Sequence, residues 1–252
     1  MSDRQQSLHM RIEGGDLTRL LALSDGLFAT VLTILVLDLK LPDIAHLVSQ
    51  GDIRRVISDL GLHLFSYLLT FIVAGSFWVA HHGDFNHIVR YNRGLLWYNL
   101  TFLLFVGLLP FTTAGIGVSG NGGILAWSVY AMNMVAAGGM LALTWGFAYT
   151  HRLTDPDMPR RMARYQGLRH LITPGVFLIS IGVAFLTPNV FVAPFSLFLI
   201  PLLQASLDRR VLGKDTEPAF EGSRAAAVFW RLAFWIPVIL LLIAAILAFA
   251  AT

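Results

Sequence analysis

The sequence contains no cysteine and few charged residues. The absence of cysteine from all 252 residues excludes a disulfide framework, a thiol nucleophile and a cysteine-based metal site. Only 13% of the residues are charged, which is about half the share found in soluble domains. Because hydrophobic residues make up 56% of the chain, the composition predicts an integral membrane protein.

The sequence also lacks the motifs of several soluble enzyme classes. It has no GxSxG, no HExxH and no glycine-rich loop placed between a strand and a helix to bind a nucleotide. The formal net charge is +3, and the basic residues lie in particular loops rather than on one patch. Nucleic acid is therefore not an expected partner, and no cofactor is expected.

Seven apolar segments approach the length of roughly 20 residues that a helix needs to cross a bilayer. They lie at 17–40, 56–82, 94–114, 123–149, 168–187, 189–207 and 228–250. The short gap between the fifth and the sixth predicts a tight hairpin, and Pro194 and Pro201 predict a kink in the sixth. The sequence thus predicts an all-α integral membrane protein in three parts, which are a transmembrane domain at 1–207, a basic cytoplasmic linker at 208–227 and a C-terminal apolar helix within 228–252.

Lysine and arginine are distributed unevenly between the two sides of this topology. Of the 18 basic residues, 15 fall in the N-terminal tail and in the connections after the second, fourth and sixth segments. The other side has only Lys40, Arg54 and Arg55. Because basic connections stay in the cytoplasm, we expect a multi-pass protein of the cell membrane with a cytoplasmic N-terminus.

The first apolar segment, Leu17 to Leu41, combines an aliphatic stripe with polar side chains. At about 100° per residue, one face of a helix carries Leu23, Leu27, Thr30, Ile34, Leu37 and Leu41. Ser24 and Asp25 project away from that stripe. A carboxylate at the centre of a membrane helix costs roughly 3 kcal/mol, so its presence indicates a function inside the membrane rather than simple anchoring.

Three stretches of the sequence resemble the transmembrane-protein-175 potassium channel family. The stretch from Arg19 to Asp38 begins RLLALSDGLFAT and is similar to the family signature RxxxFSDG-x-FA. SFWVAHHGDF at 76–85 resembles the second helix of the family, and LLWYNLTFL at 95–103 resembles the third. The resemblance covers roughly residues 17–207 and is strongest in these three stretches.

The resemblance implies a six-helix channel subunit in a homotetramer whose first helices surround one central pore. It implies passive conduction with potassium as the permeant ion. The family has no TVGYG filter, and this sequence has none either. The constrictions carried over from the family fall at Thr30, Ile34 and Leu37, with Thr33 in a supporting layer. The seventh segment has no counterpart in this plan and is expected to be an extra helix.

Two signature positions differ from the family pattern. Leu23 stands where phenylalanine is usual, and Thr30 stands where isoleucine or leucine is usual. A ring of hydroxyl groups at Thr30 is wetter than an aliphatic ring. If the barrier works by dewetting, its tightest part moves to Ile34 and Leu37, and we expect weaker selectivity than in relatives.

Polar residues of three helices are expected at similar depth behind the pore. They are Arg19, Ser24 and Asp25 of the first helix, Trp78 and His81 of the second and Asn99 of the third. Since lipid satisfies no polar group, these side chains are expected to bond to one another. The resemblance implies that this cluster is a structural lock, which fixes the position of the pore helix. A gating or proton-sensing role for His81 is the alternative, because imidazole titrates near neutral pH. Arg19 is expected to turn from the pore toward a carboxylate or a carbonyl.

Other roles and functions remain open at this point. Asp38 follows the aliphatic stripe, either as part of a carboxylate ring that concentrates cations at the outer mouth or as a solvated acid. Besides a potassium channel, the sequence allows a proton-permeable pathway through Asp25 and His81. It also allows a membrane scaffold or an intramembrane enzyme built on the polar cluster. No metal site is expected.

Overall fold

The computed structural model describes residues 17–37, 53–116, 120–187 and 190–211. The regular elements within these ranges are helices, and the nearest approach to a sheet is an isolated antiparallel bridge between Ile88 and Thr154. Asp38, the apolar segment 228–250 and most of the linker 208–227 lie outside the described residues.

Seven α-helices and one 3₁₀ helix follow one another along these described ranges. They are α1 (Thr18–Leu37), α2 (Ile53–Phe85), α3 (Arg93–Gly107), α4 (Leu109–Thr113), α5 (Gly120–Thr150), α6 (Arg160–Leu186), the 3₁₀ helix (Val190–Phe198) and α7 (Leu199–Val211). Five candidate membrane spans result, because α3 and α4 together make one of them. The first five predicted segments are therefore confirmed as helical spans.

The start of α6 differs from the prediction. The sequence placed the fifth segment at 168–187, whereas α6 already begins at Arg160. Hydropathy does not predict these additional turns, about two of them, because Arg160, Arg161 and Arg164 are charged, although arginine is a good helix former. These arginines lie on a helix and not in a loop.

The sixth predicted segment is helical but divided. Val190–Phe198 form the 3₁₀ helix, which contains Pro194, and α7 continues from Leu199 with Pro201 in its first turn. Proline has no amide hydrogen to donate, so a continuous ladder of α-helical hydrogen bonds is not available here. The predicted irregularity of this segment is confirmed.

The third span is interrupted at Leu108, between α3 and α4. Pro110 cannot donate to a carbonyl of the preceding turn, which breaks the helix. Asn133 of α5 bonds to both sides of the break, because its Nδ2 donates to the carbonyl oxygen of Phe105 at 3.1 Å and contacts Oγ1 of Thr112 at 3.3 Å. These internal hydrogen bonds connect α5 to the interrupted span, where lipid offers no partner.

Two clusters of buried apolar side chains fill the space between the helices. The larger cluster joins α1, α2, α3, α5 and α6 through buried side chains that include Phe28, Leu35, Phe102 and Phe177. The smaller cluster contains Leu20, Phe85, Ile88, Leu95, Ala148 and Leu153. It closes the end of the bundle where α1, α3 and α6 begin and where α2, α5 and α7 end. We call this end the arginine end, since most of the described arginines lie there.

Close packing between α5 and α6 depends on a glycine. Gly138 lies so near Pro174 that a β-carbon built on it would be 2.9 Å from the proline Cδ. Gly139, the next residue, has open space at the same position. Small residues that let helices approach are a main source of helix association in lipid, because burying apolar surface there gains little.

We predict that Gly138→Ala destabilises the protein and that Gly139→Ala does not. The added methyl group must push the rigid proline ring away, and overpacking of this kind costs about 1–3 kcal/mol. The measurement is the thermal unfolding midpoint of the purified protein in detergent, with Gly139→Ala as the matched control. Equal midpoints for the two variants would contradict the close approach of α5 and α6.

Candidate functional site

One face of α1 is fixed inside the subunit. Leu20, Ser24, Phe28, Val31 and Leu35 are buried, and their spacing of three or four residues places them on a single side of the helix. Phe28 and Leu35 are each only 1% exposed. The rotation of α1 about its own axis is therefore set by contacts with the rest of the chain.

The predicted pore residues lie on the part of α1 that the subunit leaves open. Thr30, Ile34 and Leu37 are exposed, Ile34 at 41% and Leu37 at 72%. Leu23 is also exposed, and Thr33 lies on the open side as well. The structure thus brings the three predicted constriction residues together on one accessible stripe of a single subunit.

The hydroxyls of Thr30 and Thr33 bond to their own helix. Thr30 Oγ1 donates to the carbonyl oxygen of Gly26 at 2.8 Å, and Thr33 Oγ1 donates to that of Ala29 at 2.7 Å. Each hydroxyl proton is therefore occupied, while the oxygen lone pairs remain available as acceptors. This arrangement presents oxygen atoms, rather than hydrogen-bond donors, on the exposed side of the helix.

Three residues of the predicted polar cluster form a directed chain of hydrogen bonds. Asn99 Nδ2 donates to Ser24 Oγ at 3.1 Å, and Ser24 Oγ donates to the carbonyl oxygen of Leu20 at 3.0 Å. His81 Nε2 lies 2.8 Å from Asn99 Oδ1. Since that amide oxygen can only accept, Nε2 of His81 carries the proton in this arrangement. The chain connects α2, α3 and α1 in the interior.

Aromatic rings enclose the imidazole of His81. The ring is stacked on Phe102 with 5.5 Å between centroids, and the Phe85 centroid is 4.4 Å away. His81 is only 1% exposed. The packing and the hydrogen bond together hold the ring in one position.

The other predicted cluster residues form a separate, more exposed group. Trp78 Nε1 donates to Asp25 Oδ1 at 2.9 Å, which ties α2 to the flank of α1. Among the described residues, no hydrogen bond connects this pair with His81, Asn99 or Ser24. Arg19 is exposed, and the described part of the chain provides no carboxylate or carbonyl for its guanidinium. The six predicted residues thus belong to a buried chain, an exposed pair and an exposed cation.

Sequence reasoning missed a buried, hydrogen-bonded pair of an acid and a histidine near the arginine end. His170 Nε2 of α6 lies 2.8 Å from Asp84 Oδ1 of α2, and the Asp84 side chain is fully buried. The second carboxylate oxygen of Asp84 is buried without a hydrogen-bond partner among the described residues. The available signal was an acid directly after the second apolar segment and a histidine inside the fifth, because ionisable residues in spans are found paired.

The described residues contain no group of three His, Asp or Glu side chains that could hold a metal ion. What they provide is a helix with one anchored face and one open face. Several spanning helices, one of them with an anchored face and an exposed stripe, define the class of multi-pass helical membrane proteins.

Comparison with known proteins identifies the family within this class. Residues 19–110 match the family described as the endosomal/lysosomal potassium channel TMEM175. A potassium channel of Streptomyces collinus is 30% identical over 186 residues, which are 72% of this chain and 89% of that protein. The chain belongs to the TMEM175 family. The matched proteins are ion channels and not enzymes, so the alternative of an intramembrane enzyme is set aside.

More distant relatives share part of the chain or the fold. The endosomal/lysosomal proton channel TMEM175 of Bos taurus is 36% identical over 97 residues, which are 36% of this chain and 20% of that protein. The crystal structure of a lysosomal potassium-selective channel TMEM175 homolog from Chamaesiphon minutus is 24% identical, with a TM-score of 0.62. The structural match covers 77% of this chain and 97% of the crystallised chain, which confirms the fold.

We predict that Asn99→Leu destabilises the protein. The change leaves the Nε2 proton of His81 without an acceptor in the interior, which costs about 1–3 kcal/mol. The measurement is the thermal unfolding midpoint in detergent. Asn86→Leu, the same change at an exposed position, is the control and is expected to have little effect. If both variants unfold at the same temperature as the original protein, the hydrogen-bonded chain does not anchor α1.

Proposed function

We propose that this chain is one subunit of a homotetrameric channel that conducts potassium passively across the cell membrane. The pore is lined by α1, with constrictions at Thr30, Ile34 and Leu37 and with Thr33 in the adjacent layer. Potassium is the permeant ion, and no cofactor takes part. The buried chain of Ser24, Asn99 and His81 is the lock that orients α1.

The observation that carries the proposal is the division of α1 into an anchored face and an open stripe. Phe28, Val31 and Leu35 hold one side in the core, while Thr30, Ile34 and Leu37 remain accessible. A stripe of this kind on a spanning helix needs lipid, a neighbouring subunit or a water-filled axis beside it. The family membership of the chain favours the axis.

The open side of α1 is also suited to contact with other subunits. Of the most apolar 18 residues of α1, only 28% are buried within the subunit, which is the lowest share among the five candidate spans. Ala22, Gly26 and Ala29 are small and exposed, and nothing lies within 4 Å of a β-carbon built on Gly26. Small residues allow helices to approach closely in lipid.

A neighbouring groove supports the assembly further. It lies between α1 and α3, has a volume of about 450 Å³ and is lined by Leu23, Leu27, Leu100, Leu103, Leu104, Gly107 and Leu108. Its aliphatic lining continues the stripe of α1 and is available to a helix of the next subunit.

We place the arginine end in the cytoplasm. Arg90 Nη2 donates to the carbonyl oxygen of Arg152 at 3.1 Å, and the bridge between Ile88 and Thr154 lies beside it. The connections after α2 and α5 are therefore at one end of the bundle, as the sequence-based topology requires. The positive-inside rule then orients the N-terminus toward the cytoplasm.

A proton-permeable pathway is the second candidate. In its favour, relatives from Bos taurus and other animals are named proton channels. Against a pathway through Asp25 and His81, these side chains bond to different partners, Trp78 and Asn99. The hydrogen-bonded chain of His81 also ends on a backbone carbonyl, which does not pass a proton on.

We predict that Ile34→Asn changes ion flux and that Ile179→Asn does not. Both isoleucines are exposed, at 41% and 53%, but Ile179 lies on α6, away from the proposed pore. A polar ring at Ile34 removes part of the hydrophobic barrier and lowers its selectivity. The measurement is flux from liposomes that hold the purified protein, first with a potassium gradient, then with a sodium gradient and then with a proton gradient.

The outcomes separate the candidate functions. Potassium-driven flux that changes in Ile34→Asn alone supports the pore on α1. Flux that follows the proton gradient and not potassium favours the second candidate. No flux from a correctly assembled protein in any gradient, or equal changes in both variants, rejects the proposed pore.

We predict that Thr30→Val reduces potassium flux severalfold. Valine keeps the shape of threonine but removes the oxygen acceptors, so the constriction dewets more readily. The control is Thr101→Val on α3, because its hydroxyl is exposed and donates to the carbonyl of Trp97 at 2.9 Å in the same manner. Unchanged flux in Thr30→Val would show that the Thr30 oxygen does not face the ion pathway.

A further inference from the structure

We propose that exposed arginines bind the anionic headgroup of a membrane lipid at the place where the start of α6 lies beside the end of α7. The arginine patch consists of Arg160, Arg161 and Arg164 at the start of α6 and Arg209 and Arg210 at the end of α7. All five are exposed. Neither the proposed pore nor the buried chain of Ser24, Asn99 and His81 uses them.

Two contacts bring the two helix ends together. The guanidinium of Arg161 donates to the carbonyl oxygen of Val211. One turn further along α6, the hydroxyl of Tyr165 donates to Asp208 Oδ1 at 2.6 Å. The arginines of α6 therefore lie beside those of α7 and form one surface rather than two.

The carboxylates near the patch do not neutralise it. Asp208 is bound by Tyr165, as described above. In the turn before α6, Asp155 Oδ1 accepts from the backbone amide of Asp157 at 3.0 Å. Five arginines therefore face three acids, Asp155, Asp157 and Asp208, and the surface keeps an excess of positive charge even when all three are ionised. The excess positive charge is complementary to a phosphate group.

Exposed leucines directly below the patch point to a lipid rather than to a soluble phosphate. On α6, Leu168 and Leu171 follow Arg164 at spacings of four and seven residues, so they share its face, and both are more than half exposed. On α7, Leu202 and Leu203 precede Arg209 and Arg210 by seven residues and are also exposed. Each helix thus offers charge for a headgroup and an aliphatic face for acyl chains.

Arginine is common on the cytoplasmic side of all membrane proteins, and the site must be distinguished from that general effect. The same end of the bundle carries Arg93 and Arg152, which are exposed but lie outside the patch. A diffuse electrostatic attraction depends on both sets equally, because each contributes about the same energy per charge near the surface. A defined site depends on the patch alone.

The test is lipid retention by the full chain in detergent, measured by native mass spectrometry with dioleoylphosphatidylglycerol and with dioleoylphosphatidylcholine. We expect preferential retention of the anionic lipid. The double variants R160Q/R164Q and R209Q/R210Q are each expected to weaken its binding on the order of tenfold. The control R93Q/R152Q is expected to retain it. Size-exclusion chromatography establishes that each variant is folded and assembled.

Four results would overturn the proposal. Equal retention of the two lipids means that the face accepts any lipid. Equal loss in the control means diffuse attraction. Displacement of the lipid by inorganic phosphate or glycerol 3-phosphate at comparable concentration means a site for soluble phosphate. Dissociation of the oligomer in the patch variants means a subunit interface. Because the readout is binding, its failure is distinct from the absence of ion flux.

Discussion

The structure depends on the requirement that polar groups within lipid find their partners inside the protein. α1 carries polar side chains along an otherwise apolar span, and α2 and α3 supply hydrogen-bond partners for Asp25 and Ser24. Asn99 binds Ser24, His81 binds Asn99, and Trp78 binds Asp25. These bonds determine how α1 is rotated, because another rotation would leave buried donors and acceptors unsatisfied. The exposed stripe of α1 follows from that rotation.

The remaining helices provide the frame against which α1 is held. Hydrophobic burial contributes little between helices in lipid, so the frame relies on close approach and on internal hydrogen bonds. Gly138 admits Pro174, and Asn133 donates to the carbonyl oxygen of Phe105 beside the break in the third span. The buried pair of Asp84 and His170 joins α2 to α6 at the arginine end. The result is a bundle that packs against one face of α1 and leaves the other face of α1 exposed.

Much of this architecture was predictable from the sequence. Five spans follow from the length and hydropathy of their segments, and the stripe of Thr30, Ile34 and Leu37 follows from helical spacing. The irregular sixth segment follows from two prolines. The start of α6 was not predictable from hydropathy, because three arginines interrupt the apolar pattern without interrupting the helix. The partition of the polar residues into a buried chain and a separate pair was not predictable either, since it depends on side-chain directions across three helices.

The sequence by itself determined the membrane class, the number and order of the first five spans, and the family. These properties depend on composition and on local periodicity, which act within a segment. Tertiary structure alone decided which polar groups meet. Asp84 and His170 are 86 residues apart in the chain and 2.8 Å apart in space. The arginines of α6 and α7 form one surface because the ends of these helices pack together, with Arg161 on Val211 and Tyr165 on Asp208. Contacts between distant segments depend on how whole helices pack, and this packing cannot be predicted from the pattern of residues within one segment.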